Sequence, residues 1–268
     1  MTTGGTSPMA DATSSSAIVV VMTAGGPNPA VIINALSRCY PGLQVIQEEP
    51  ESKSEILRRR ARRLGWVNAC GQLATMMAAK LLRPLARRRT AAILRTAGLS
   101  AVVDPRVPVH PVPSLNDPDC AALVARLKPA AILLVSTRLM NRATLAAMPC
   151  PVLNLHAGIN PAYRGQMGGY WSLIEDDAAN FGATVHLVDA GTDTGGTLYE
   201  VRTLPDRGDF IATYPLLLTV SAIDITLQAV DDAVHDRLAP YQPEGPSALR
   251  FPPAVWTWLG NGIRRRIW

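Results

Sequence analysis

Aromatic residues make up only 5% of this 268-residue chain, and charged residues 18%, the latter below the roughly 25% usual for soluble domains. Cysteine is sparse too. Cys39, Cys70, Cys120 and Cys150 stand far apart, with no C-x-x-C pair. Their spacing excludes a disulfide framework and a zinc site, and buried free thiols are expected. No apolar run approaches the ~18 uncharged residues of a membrane-spanning helix. The start, MTTGGTSPMADATSSS, has neither the basic nor the apolar region of a signal peptide. A cytoplasmic protein is the expectation. What the chain does have is 48% hydrophobic residues, enough for a sizeable core and incompatible with wholesale disorder.

Acidic residues are nearly missing from one stretch. Between Lys53 and Arg95 there are 12 Lys/Arg against a single acid, Glu55, a local charge of +11 in a chain whose net charge is +5. The remainder therefore carries −6, so the protein as a whole is not a general nucleic-acid binder and no specific nucleic acid is expected. The basic stretch reads as helix from about Ser54 to Arg63 and again from Val67 to Arg95, with Pro84 breaking the second part. A solvated helical face is the plain reading of it. A peripheral contact with an anionic membrane at the inner face is a second, because Trp66, Leu73, Met76, Met77, Leu81 and Leu82 interleave with the cations. Contact with a phosphate-rich ligand or with RNA is a third.

Residues 1–16 are small and polar and read as a disordered tail. Ala17–Thr23 is a valine-rich run typical of a strand buried on both faces, followed by a glycine turn, Gly25-Gly26-Pro27-Asn28, and the helical pattern AVIINALSRC. Leu43–Gln47, Ala101–Val103, Ala131–Ser136, Val152–His156 and Thr184–Asp189 are further apolar runs. Thr197–Thr203 reads as an edge strand, and helices are expected over Pro118–Leu127 and Ile211–His235. The pattern predicts an α/β fold, a Rossmann-like open, mostly parallel sheet with helices on both faces. Such sheets bind ligands beyond the carboxyl ends of their strands. Residues 17–205 are expected to form the catalytic domain, with the basic helical segment at 53–95. Residues 206–268 are expected to pack on it as a helical extension. The end Ala254–Trp268 either seals the domain or forms a homodimer contact.

The chemistry concentrates between Val152 and Glu200. Asn154 and His156 lie two apart at a strand end and share a face. A glycine-rich loop, Asp189–Gly196, follows the next strand and presents Asp193. An amide, an imidazole and a carboxylate suit acyl-type transfer to an amine, with the first two stabilising an oxyanion and the third supporting the imidazole charge. Taken one at a time, a strand-end histidine, a G-T-D-T-G-G turn and the Tyr163-Arg164-Gly165 turn all have structural readings. His186, in mid-strand, reads as a packed position; His110 and His235 have no recognisable partners.

Taken together, N-x-H…YRG…H-L-V-D-x-G-x-D-T-G resembles the formyltransferases that use 10-formyltetrahydrofolate. They include glycinamide ribonucleotide, methionyl-tRNA and amino-sugar N-formyltransferases. The resemblance is dense over about Ala130–Glu200 and thinner over Ala17–Leu36. It implies the formyltransferase fold, a reduced folate as co-substrate and no metal. It also implies Asn154, His156 and Asp193 as the catalytic trio, with Thr137, Arg138, Leu139 and Met140 clasping the pterin and Asp189 and Gly191 closing on it. Gly25, Gly26, Asn28, Tyr163 and Arg164 fall at acceptor-side positions.

Two departures bear on the acceptor. Where the purine-pathway enzyme grips a phosphate with Gly-Ser-Asn, this chain has Gly26-Pro27-Asn28, and proline removes an amide donor. Where that enzyme places an acid against the substrate amine, this chain has Phe210, with Asp209 beside it. The residues after the catalytic region are too few for the helix and barrel of the methionyl-tRNA enzyme. The expectation is an N-formyltransferase for a small amine such as an amino sugar, a sugar nucleotide or a specialised metabolite. The alternatives are a folate- or nucleotide-binding module without turnover, or a glycinamide ribonucleotide- or methionyl-tRNA-type enzyme.

Overall fold

The structure, a computed structural model, describes residues 16–268; apart from Ser16, the expected tail lies outside the described residues. β1 (Val19–Thr23), α1 (Pro27–Cys39) and β2 (Gln44–Glu48) open the fold, and α2 (Lys53–Leu64), α3 (Trp66–Leu81) and α4 (Arg87–Ala97) form an insertion after β2. The chain continues through β3 (Val109–Val112), α5 (Pro118–Leu127), β4 (Ala131–Val135), α6 (Arg142–Ala146) and β5 (Val152–His156). β6 (Arg164–Gly165), α7 (Gly168–Ile174), β7 (Gly182–Leu187) and β8 (Thr197–Arg202) follow, then α8 (Tyr214–Ser221), α9 (Ile223–Val234), β9 (Leu249–Arg250) and α10 (Val255–Arg265).

Seven strands form one sheet in the order β3-β2-β1-β4-β5-β7-β8, and β6 pairs with β9 separately. β3, β2, β1, β4 and β5 run parallel, while β7 and β8 are antiparallel to their neighbours. The period-2 alternation of β1 shows why the sheet is covered on both faces. Val19 and Val21 enter one core with Ile32, Ile33 and Leu36 of α1, Leu218 of α8 and Val230 of α9. Val20 and Met22 enter a second with Cys120, Leu123 and Val124 of α5. Chain order reverses between β1 and β4, which opens a crevice at their carboxyl ends.

Three expectations are corrected. Ala101–Val103 is not a strand. The side-chain amide of Asn34 donates to the carbonyls of Ser100 and Val102 (2.9 and 2.8 Å) and accepts from Asp104 N–H (2.9 Å), so this backbone is satisfied by a side chain and has no ladder to join. The strand at one edge is Val109–Val112, whose Pro111 is tolerated there because an edge leaves N–H positions unpaired, and Thr197–Arg202 forms the opposite edge as expected. The helix expected over Ile211–His235 is two helices separated at Ala222, where Thr219 and Ser221 hydroxyls donate to the carbonyls of Pro215 and Leu217 and bend the turn. All four cysteines are free, but only Cys120 is buried, and Cys70 is exposed on α3.

The carboxyl end packs on the domain through one face. Trp258 is buried and meets Trp268 edge to face at 6.2 Å, and Trp268 O accepts from Ile211 N–H at 2.7 Å. The insertion is held from the same side. Arg89 of α4 forks onto Asp209 (2.8 and 2.7 Å) and reaches Asp206 (2.8 Å).

Candidate active site

β5 delivers Asn154 and His156 to the crevice on one face, and β7 delivers His186 directly opposite Asn154 in the antiparallel register. Asp193 arrives from the loop after β7 with φ of 51°, a left-handed conformation that an aspartate tolerates better than most residues. Two local features hold that loop in shape. Asp189 Oδ1 accepts from Gly191 N–H (2.9 Å) and the Thr194 hydroxyl (2.6 Å). At Gly195 a Cβ would sit 1.8 Å from Leu187 O, so only glycine permits the approach.

The four polar side chains bond to one another. Asn154 Nδ2 donates to Asp193 Oδ1 (3.1 Å) and lies 3.0 Å from His186 Nε2. His186 Nδ1 is 2.7 Å from Leu187 O. Since a carbonyl only accepts, the proton is on Nδ1 and Nε2 accepts from Asn154. By the same reasoning His156 Nε2, 2.7 Å from Tyr163 O, is protonated, which turns Nδ1 toward Asp193 Oδ2 at 3.6 Å. Gly165 N–H donates to Asp193 Oδ2 at 2.8 Å. Burial pushes the Asp193 carboxyl up, but the neighbouring His156 and the Gly165 N–H act against it, and the group is held well below the usual carboxylate range.

The cluster opens into a cleft of about 750 Å³, within the range of small-molecule pockets. Thr137, Arg138, Leu139, Met140, Asp189 and Gly191 all line it, as does Asn28. The segment 137–140 is braced from behind by Glu48, a buried acid that sequence reasoning missed. Its Oε1 accepts from Arg138 N–H (2.6 Å) and its Oε2 from Arg138 Nε (2.8 Å). An acid closing the apolar strand QVIQE was the available signal. His186, read as a packed position, is corrected to a member of the polar cluster. Gly25, Gly26, Tyr163 and Arg164 are not among the residues lining the cleft. Gly25 N–H turns to Thr23 Oγ1, the buried Tyr163 donates its hydroxyl to Asp177, and Arg164 donates to Thr192 O at 3.0 Å. The last two support the cluster from outside. Asp209, beside Phe210, is spent on Arg89 and Thr213. Among the described residues no group of three or more His, Cys, Asp or Glu is placed to hold a metal ion.

Comparison with known proteins bears on this geometry. Residues 92–209 match the family model described as formyl transferase. Methionyl-tRNA formyltransferase of Roseiflexus sp. (strain RS-1) is 31% identical over 173 residues, 63% of this chain and 51% of that protein. The enzyme of the same name from Chlorobium chlorochromatii (strain CaD3) is 32% identical over 97 residues, 36% of this chain and 31% of its own. The chain thus spans about half the length of the first of these curated relatives and about a third of the second. Among solved structures, glycinamide ribonucleotide transformylase 1 from Symbiobacterium toebii superposes over 87% of this chain and 94% of its own, with TM-score 0.52 and 20% identity. A sugar N-formyltransferase from Shewanella sp. FDAARGOS_354 covers 87% and 76%, with TM-score 0.54 and 12% identity. These two show a shared fold.

Proposed function

We propose that this chain, a relative of the formyltransferases by its matched segment and its fold, transfers a formyl group from 10-formyltetrahydrofolate to the amine of a small-molecule acceptor. The observation that carries the reading is the convergence of Asn154, His156 and Asp193, in the order and spacing of the family motif, on one cleft. The folate would supply the activated formyl carbon. Its pterin fits the wall formed by the 137–140 and 189–193 segments, where Leu134, Leu139, Met140 and Val188 offer apolar surface to a flat ring.

The protein's own groups then have definite tasks. Asn154 Nδ2 donates to the formyl oxygen as negative charge develops on it, exchanging its contact with His186 Nε2 for that oxygen. His186 keeps the amide turned toward Asp193, since it offers only an acceptor on that side. His156 supplies the second source of positive charge, and its Nδ1 proton is held by the ionised Asp193. Asp193 also receives the proton that the attacking amine loses, directly or through the imidazole, and that proton passes to N10 of the folate as the bond between N10 and the formyl carbon breaks and tetrahydrofolate leaves. The test is incubation of the purified protein with 10-formyltetrahydrofolate and a mixed library of amino sugars, sugar nucleotides and amine metabolites, read by mass spectrometry. A product heavier by one formyl group is expected. Folate binding without any product across the library would sink the transferase reading and leave a binding module.

The partner surface of the insertion is read as an anionic membrane. Of the fourteen large hydrophobic residues exposed among the described residues, nine lie in α3, the turn after it and the 256–268 end, including Leu81 (77%) and Ile263 (75%). The two sets adjoin, because the Trp256 ring sits where a Cβ on Gly71 of α3 would fall. No acid occurs in residues 66–100 or 254–268, and Arg83, Arg87, Arg88, Arg264 and Arg266 are exposed in the same two segments. Tryptophan, aliphatic surface and unopposed arginine are the composition of an interfacial helix face. No helix among the described residues is long and apolar enough to cross a membrane. Sedimentation with phosphatidylglycerol vesicles, weakened by Leu81→Lys and by Arg87→Gln, is expected. Equal recovery with and without vesicles excludes the contact.

A further inference from the structure

α2 has no counterpart in the catalytic scheme, yet one of its faces is part of the cleft. Of its run Arg58-Arg59-Arg60-Ala61-Arg62-Arg63, positions 59, 60 and 63 line the cavity, whereas 58 and 62 do not, the division that helical spacing imposes. Two of the three lining arginines have evident partners. Arg59 is paired with Glu51, and the Arg63 guanidinium lies over the Phe251 ring, 5.1 Å from its centroid.

Arg60 differs. It is 7% exposed, and its hydrogen bonds go to uncharged groups, Gln166 Oε1 at 2.8 Å and Met76 Sδ at 3.1 Å. Burial, with the neighbouring Arg59 charge, pulls its pKa down, and Glu51, the acid that acts on it, is held by Arg59. A guanidinium buried among neutral groups costs stability until a counter-ion arrives. Its location says where that ion would stand. Gln166 follows Gly165, whose N–H binds Asp193, so the uncompensated charge is one residue removed from the reacting cluster. Asn28, in the first turn of α1, lines the same cavity.

We propose that Arg60, flanked by Arg63, is an oxyanion subsite of the cleft, and that the acceptor amine is carried on a molecule bearing a phosphate or diphosphate. This rests on the transferase reading and narrows its acceptor to an anionic one. The glutamate carboxylates of the folate offer related chemistry, but the pterin wall is built from the loops after β4 and β7, whereas Arg60 enters from the insertion.

Inorganic pyrophosphate is the probe, used with the full chain, so the outcome does not depend on turnover. Pyrophosphate should raise the melting temperature of the wild-type protein and give a measurable Kd by calorimetry. Arg60→Met should melt higher than wild type without ligand, because the buried charge is gone, and should bind pyrophosphate about 10- to 100-fold more weakly, the range expected for loss of charge-assisted hydrogen bonds. Arg60→Lys keeps the charge without the fork and should fall between them. Arg58→Gln, on the side of α2 away from the cleft, should behave as wild type. 5-Formyltetrahydrofolate should bind all four proteins alike. Pyrophosphate binding that is absent, or unchanged in Arg60→Met, overturns the subsite. Loss of folate affinity in Arg60→Met, with pyrophosphate binding retained, assigns Arg60 to the donor's glutamate and overturns the acceptor assignment. Failure of formyl transfer with pyrophosphate binding intact strikes the transferase reading alone.

Discussion

At the ends of β5 and β7, four side chains satisfy one another: Asn154, His156, His186 and Asp193 share contacts between 3.0 and 3.6 Å. In α2, α3 and α4 the charged groups are cations, most of them exposed, with Glu55 as the one acid between Lys53 and Arg95. The first region is closed on itself, so geometry is fixed before a ligand arrives and binding need only exchange a contact. The second is open, so its energy is realised only when something outside supplies negative charge or apolar surface. Preorganised chemistry and deferred recognition are thus placed on different parts of one chain, and they meet at the cleft through Arg60.

Substitutions sharpen this contrast. The largest effect should come from the closed cluster: His156→Ala or Asp193→Asn is expected to lower formyl transfer by about 10²–10⁴-fold, with folate binding retained, whereas Arg87→Gln leaves transfer to a water-soluble acceptor unchanged. Product formation by mass spectrometry decides it, and a loss of only a few-fold would mean the trio is misassigned.

A second substitution breaks the contrast where the insertion behaves like the core. Arg89 is the insertion's tie to the core, because Asp209, with no side-chain exposure, depends on it. Arg89→Ala should cost about 3–5 kcal/mol in urea unfolding by stranding that carboxylate. A cost near that of an exposed arginine would show that Asp209 finds another partner.

Acid titration probes the cluster without substrate. Asp193 is held below its unfolded pKa, so its contribution to stability is full above the unfolded value of about 3.9 and is lost as pH falls through the lower folded value. Wild type should therefore lose more stability than Asp193→Asn on acidification below about pH 4, measured as unfolding midpoints across that window. Smallest is Tyr163→Phe, which removes the hydroxyl donated to Asp177 and should cost about 1 kcal/mol in the same unfolding measurement.

Much of the fold was legible because its signals are local. A valine run bounded by a glycine turn marks β1, and Pro118–Leu127 coincides with α5. Asn154 and His156 could be paired from sequence because strand parity puts i and i+2 on one face. His186 could not, because its place opposite Asn154 depends on the register of an antiparallel neighbour. The break at Ala222 and the loss of Ala101–Val103 as a strand turn on side chains competing for backbone groups, Thr219 and Ser221 in one case and Asn34 in the other. The cleft-facing role of Arg60 was hidden among arginines of identical type, since only packing against Met76 and Gln166 tells it from Arg58.

The position of the insertion also sets an order of assembly. β2 and β3 pair in parallel, Val45 against Val109, with all three helices of the insertion between them in the chain. Closing so long a loop loses chain entropy before any ladder bond forms, and β3 returns little for it, being an edge strand with Val109 exposed and Pro111 unable to donate. β3 should therefore join the sheet last and open first. Its amides should exchange with solvent hydrogen well before those of β1 and β4, whose pairing lies at the centre of the sheet.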